Sequence, residues 1–148
     1  MKIEIEESAS DIDWFFTDQK NIGFVASGGG KLPLSISNAS ENIQMLASYF
    51  RTLPDISEVE INPLLEEIMG DGEVDADYLS DFIYMATKGL YSFDKTFVGE
   101  YSDDRYHLVA KPVTALKLSD LPLHIAEAVS QTISANGFQE KFMISSFS

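Results

Sequence analysis

Apolar runs of strand length lie at both ends of this chain, and helical stripes lie between them, with no regular strand–helix alternation. That order restricts the fold to the α+β class, with a mainly antiparallel β-sheet and three to four helices covering one of its faces. Met1 to Glu7 alternates polar and apolar residues and reads as a strand. Ile12 to Thr17 and Ile22 to Ser27 are two aromatic-rich runs separated by Asp18-Gln19-Lys20-Asn21, a turn-forming cluster that suits a β-hairpin. Gly28-Gly29-Gly30 then ends the strand, because residues without Cβ lose much conformational entropy on ordering.

Three helices follow. Asn38 and Glu41 form a capping-box pattern, and Ile43, Leu46, Ala47 and Phe50 recur at helical spacing until Pro54 forbids continuation, so a helix is predicted over roughly 39–52. Asn62-Pro63 starts a short helix that Gly70 ends. Tyr78, Leu79, Phe82, Ile83 and Ala86 make an apolar stripe behind capping acids at Asp75 and Asp77, with Gly89 placed to terminate it. Leu90 to Thr96 and Arg105 to Lys111 read as central strands joined by a polar hairpin loop. A last helix, capped by Ser119 or Asp120, carries Leu121, Ile125, Ala128 or Val129, and Thr132 on one face and closes at Asn136-Gly137, before a terminal strand within Phe138 to Phe147. No internal repeat or linker interrupts residues 1–148, which read as one α+β domain.

Charge narrows the function. The chain has 24 acidic against 10 basic residues, two His and no Cys, for a formal charge of −14. Such a balance repels phosphate backbones, and the cations are scattered singly, so neither nucleic acid nor an anionic membrane is an expected partner. The absence of Cys removes thiol nucleophiles, disulfides and thiolate metal sites. With no apolar stretch of the ~20 residues that a membrane helix needs and no signal-peptide core in the strand-like start, a cytoplasmic protein is expected.

No motif supplies catalytic hardware. Gly28-Gly29-Gly30-Lys31 is not a phosphate loop, since Val25 and Leu32 stand where the pattern needs Gly and Ser or Thr. Asp71, Glu73, Asp75 and Asp77 alternate like calcium ligands, yet Ala76 and Phe82 occupy the positions that require Gly and a carboxylate, and an acidic loop with a helix cap accounts for them. His107 and His124 belong to no metal or base pattern, and Ser27 lies outside a nucleophile elbow. Neither a metal nor a cofactor is therefore expected. Asp11 and Asp13 beside Trp14-Phe15-Phe16 resemble the paired acids of a carbohydrate hydrolase, but on an alternating strand they share one face opposite Trp14, as a solvent face backed by a core aromatic would.

The second hairpin combines acid with aromatic surface. Asp94, Glu100, Tyr101, Asp103 and Asp104, with Tyr91 and Tyr106 nearby, are the residues expected to meet a basic protein partner, because Tyr contributes contact area at low entropic cost and carboxylates steer a cationic surface.

Asp13-Trp14-Phe15-Phe16-Thr17-Asp18, Ile22-Gly23-Phe24 and Ser27-Gly28-Gly29-Gly30 together resemble the opening of small uncharacterised bacterial proteins. Gly89-Leu90-Tyr91-Ser92-Phe93-Asp94, Tyr106 to Pro112 and Leu118-Ser119-Asp120-Leu121-Pro122 are similar to their later portion. Some such proteins look like the immunity partners of bacterial toxins, and the resemblance implies a non-enzymatic inhibitor of a basic toxin or nuclease, without assigning any residue a role. A small carbohydrate hydrolase and an oligomeric structural subunit are the competing expectations.

Overall fold

A computed structural model of the chain describes residues 13–26, 36, 41–69, 74–96, 105–134 and 141–143, with 69 and 141–143 described by backbone alone. The initial strand, the Gly28-Gly29-Gly30 break, the Asn38 cap, the acids Asp71 and Glu73, and the Asn136-Gly137 stop lie outside the described residues.

The first hairpin forms as its sequence predicts. Strands β1 (Asp13–Thr17) and β2 (Ile22–Ala26) pair antiparallel, with Phe15 opposite Phe24. The Asp18 carboxylate accepts from the amides of Lys20 and Asn21 at 2.9 and 2.7 Å, and the Thr17 hydroxyl donates to the Asn21 carbonyl at 2.6 Å. These local bonds hold Gln19 at φ 79°, a conformation costly for a residue with a Cβ.

Helix α1 (Glu41–Arg51) and the short helix α2 (Leu65–Met69) flank strand β3 (Val59–Ile61), which the sequence pattern did not predict. A run of three residues with Glu60 at its centre carries little periodicity; it becomes a strand because the edge of β5 is there to pair with it. Helix α3 (Ala76–Thr87) starts where Asp75 accepts from the Tyr78 amide at 2.8 Å. It stops in a Schellman turn: the Gly89 amide donates to the Ala86 carbonyl at 2.9 Å, the Leu90 amide to that of Met85 at 3.3 Å, and Gly89 sits at φ 97°.

Strand β4 (Tyr91–Lys95) lies between β2 and β5 (Arg105–Pro112). Including β6 (Lys141–Met143), the sheet has six strands among the described residues, in the order β1-β2-β4-β5-β3, with β6 also on β5. Strands β3 and β6 share the far edge of β5, at residues 110–112 and 105–107 respectively. All pairs among the described strands are antiparallel except β2 with β4, so the sheet is mixed but mostly antiparallel and the class is α+β. The parallel pair follows from the long crossover through α1, β3, α2 and α3.

The last helix departs from expectation. A 3-10 turn at Leu118–Asp120 precedes α4 (Leu123–Val129), and Pro122, not Ser119 or Asp120, occupies the N-cap position. Asp120 instead accepts from the Lys117 amide at 3.1 Å. Thr132 leaves the helix because β1 offers better partners: the Thr17 amide donates to the Thr132 carbonyl at 3.1 Å, and the Ser134 amide to that of Thr17 at 2.9 Å.

Both sheet faces are buried. On one, Phe15, Ile22, Phe24 and Val109 pack against Leu46 and Phe50 of α1, Leu65 of α2, Phe82 and Met85 of α3, and Ile125 and Val129 of α4. Ring centroids 4.9 Å apart join Phe15 to Phe50. On the other, Trp14, Phe16, Val25, Phe93, Tyr106 and Leu108 cluster with Ile36. Burial of consecutive Trp14, Phe15 and Phe16 is possible only when a strand is covered on both sides.

Candidate functional site

A row of polar side chains crosses the sheet where β2 and β4 end. The register places Asp13 opposite Ala26, Ala26 beside Asp94, and Asp94 opposite His107, all on the face that carries Phe15 and Phe24. Helices α1 and α3 close over this row. Arg51, in the last turn of α1, donates to Asp13 at 2.8 Å and grips Asp81 of α3 with two bonds of 2.8 and 3.1 Å. The Tyr78 hydroxyl donates to Asp94 at 2.6 Å. The Thr96 hydroxyl lies 3.0 Å from Nδ1 of His107, which is 1% exposed.

The electrostatics fit a structural clasp. Hydrogen bonding to Asp81, reinforced by Asp13 and opposed by burial, holds the Arg51 guanidinium in its charged form beyond its ordinary range. Burial, then the charge and hydrogen bond of Asp94, pushes the Tyr78 phenol up, so it remains a neutral donor. Asp13 faces a cation, whereas a glycosidase general acid needs surroundings that favour its protonated form. Asp11, its proposed companion, lies outside the described residues.

The residues expected at the partner surface divide. Asp94 is in β4, only 8% exposed, and its carboxylate binds Tyr78 and the Lys95 amide. Tyr106 is in the core, edge-on to Trp14 with centroids 6.0 Å apart. Glu100, Tyr101, Asp103 and Asp104 lie outside the described residues. Asp75 caps α3, Asp77 is exposed in its first turn, and His124 is exposed on α4. Among the described residues no group of three or more His, Cys, Asp or Glu is arranged to hold a metal ion.

A different surface carries accessible acid and apolar groups together, on β3 and the start of α2. Glu58, Glu60, Glu66 and Glu67 are exposed, and between them Ile61 and Leu64 show 36% and 43% of their surface. An open groove of about 480 Å³ is lined by Glu60, Ile61, Asn62 and Pro63 with Leu108 and Lys111 of β5, and Lys111 reaches Glu60 at 3.7 Å. Its floor is fixed by Asn62, whose side chain donates to the Leu108 carbonyl at 2.8 Å and accepts from the Leu64 amide at 3.0 Å. Sequence reasoning did not single out these acids, because no motif or periodicity marks them; β3's place at the sheet edge is what brings Glu60 to the groove.

Several cations turn inward. Lys88 reaches Asp55 at 2.7 Å and lies 4.4 Å from the Tyr84 ring centroid. Lys95 is 1% exposed beside Tyr106. Arg51 is held by Asp13 and Asp81. Glu41, Asp55, Asp75, Asp77, Asp120 and Glu127 are exposed, so the described surface is more one-sided in charge than the composition alone requires.

Fold and surface together define an acidic α+β protein with a solvent-facing strand edge. Compared with protein-family models, curated proteins and solved structures, the chain matches none of them. Among the described residues no helix is long and apolar enough to cross a membrane.

Proposed function

We propose that this chain is a non-enzymatic binding module of the cytoplasm that captures a basic protein, acting as an immunity-like inhibitor of a cationic toxin or nuclease. The observation that carries the reading is the β3–α2 segment, where exposed Glu58, Glu60, Glu66 and Glu67 flank accessible Ile61 and Leu64 along the chain. Carboxylates of this kind imitate the charge of a phosphate backbone, occupy a cationic cleft and accelerate encounter, while the apolar groups slow dissociation. Burial of Lys88 and Lys95 supports it by taking two cations off the surface, and exposed Lys111 beside the groove is paired with Glu60 at 3.7 Å.

Retention from native cell extract at low and high salt, followed by mass spectrometry, tests the reading. A basic protein bound at low salt, released at high salt, and lost when Glu58, Glu60, Glu66 and Glu67 are changed to Gln is the expected result. No retained protein at either salt overturns it.

A further inference from the structure

We infer that the outward edge of β3 receives an extended basic segment of the partner as an added β-strand; this rests on the binding reading above and specifies its geometry. The Val113 amide donates to the Glu58 carbonyl and the Asn62 amide to the Val109 carbonyl, both at 2.9 Å. Hydrogen-bonding direction alternates along an antiparallel strand, so Glu58, Glu60 and Asn62 turn their backbones towards β5 while Val59 and Ile61 turn theirs away from it. Among the described strands β3 ends the sheet on this side, so those outward amides and carbonyls form a short template for pairing.

Side chains select the occupant. Glu58 and Glu60 project from one side of β3 and Val59 and Ile61 from the other. An added strand that places Lys or Arg beside the two glutamates must place its intervening residues beside Val59 and Ile61, where apolar groups extend the packing. The recognised segment is therefore basic and apolar in strict alternation. A second copy of this chain is disfavoured, because its own β3 edge would bring glutamate against glutamate.

The test is an NMR titration of the full chain with a capped peptide alternating lysine and valine, against a peptide of the same composition with its lysines grouped together. The expected result is saturable shifts and slowed hydrogen exchange at the Val59 and Ile61 amides, with the alternating peptide bound at least about tenfold more tightly. Val59→Pro removes an outward donor without touching the β5 ladder and should abolish the difference. Glu58→Lys with Glu60→Lys, both at exposed positions, should transfer the preference to an alternating glutamate and valine peptide, which keeps the inference testable if the proline variant does not fold. Equal binding of the two lysine peptides, shifts remote from β3, or exchange protection that grows with protein concentration without peptide would each overturn strand addition. Those results leave capture of a basic partner from extract standing; loss of that capture as well overturns both readings.

Discussion

Gly23→Ala is a single methyl addition whose sign discriminates between two effects. Gly23 faces Phe16 across the β1–β2 pair, and a Cβ placed there would lie 2.4 Å from Phe16 Cε1 and 2.7 Å from Cζ. That is roughly 1 Å short of an ordinary ~3.5 Å carbon contact, so the ring must shift. It has little freedom, being 1% exposed and set between Trp14 and Phe93 at centroid distances of 5.9 and 5.6 Å. Replacing Gly by Ala in an unobstructed strand should stabilise by ~0.5–1 kcal/mol through backbone entropy, whereas overpacking a core costs ~1–3 kcal/mol. The clash therefore wins, with a net loss of about 1–2 kcal/mol. In urea this lowers the unfolding midpoint by roughly 0.5–1 M, read from the fluorescence of the chain's one Trp, which adjoins Phe16. Phe16→Leu withdraws the obstructing ring atoms, so the double variant should be less destabilised than the sum of the singles by about 1 kcal/mol. A Gly23→Ala protein with a raised midpoint, or strict additivity of the two changes, would refute the packing argument.

Other perturbations test the polar contacts and the helix end. Tyr78→Phe should cost ~1–3 kcal/mol by removing the donor to buried Asp94. Because burial and Asp94 raise the Tyr78 phenol above its ordinary value, its stabilising contribution is complete below about pH 10 and lost as pH rises further; ultraviolet titrations of wild type and variant should differ by one Tyr that ionises only on unfolding. Hydrogen bonding to Lys88 lowers the Asp55 carboxyl, so the pair stabilises above the usual carboxylate range near pH 4 and fails as pH falls through the lowered value; the Tm difference between wild type and Asp55→Asn should be flat near neutrality and vanish in strong acid. Gly89→Ala combines φ 97° with a Cβ 2.6 Å from the Leu116 amide nitrogen, and should cost roughly 2 kcal/mol or more by thermal unfolding.

The polar clasp bears on the binding proposal. Arg51 ties β1 to both α1 and α3, Tyr78 ties α3 to β4, and β4 pairs with β5, the strand on which β3 lies, so the sheet that carries β3 at its far edge is joined to its helices. A preorganised scaffold lowers the ordering cost of association, leaving more of the electrostatic gain to appear as affinity.

Sequence alone determined what depends on neighbours along the chain. Asp75 and Gly89 bracket α3 because a side-chain acceptor and a residue tolerant of positive φ act within one turn. Asp18 and Asn21 make the first hairpin for the same local reason. Tertiary structure decided what depends on partners distant in sequence: the parallel contact of β2 with β4, the existence of β3, and the end of α4, where Thr17 takes Thr132 and Ser134 from the helical pattern. It also decided the fate of charge. Asp94 looked like surface acid and lies on the central strand against Tyr78, while Glu58 and Glu60, which no sequence pattern singled out, stand on the outermost described strand. A residue's charge is written in its side chain, but its dielectric surroundings and pairing partners exist only after the sheet is assembled.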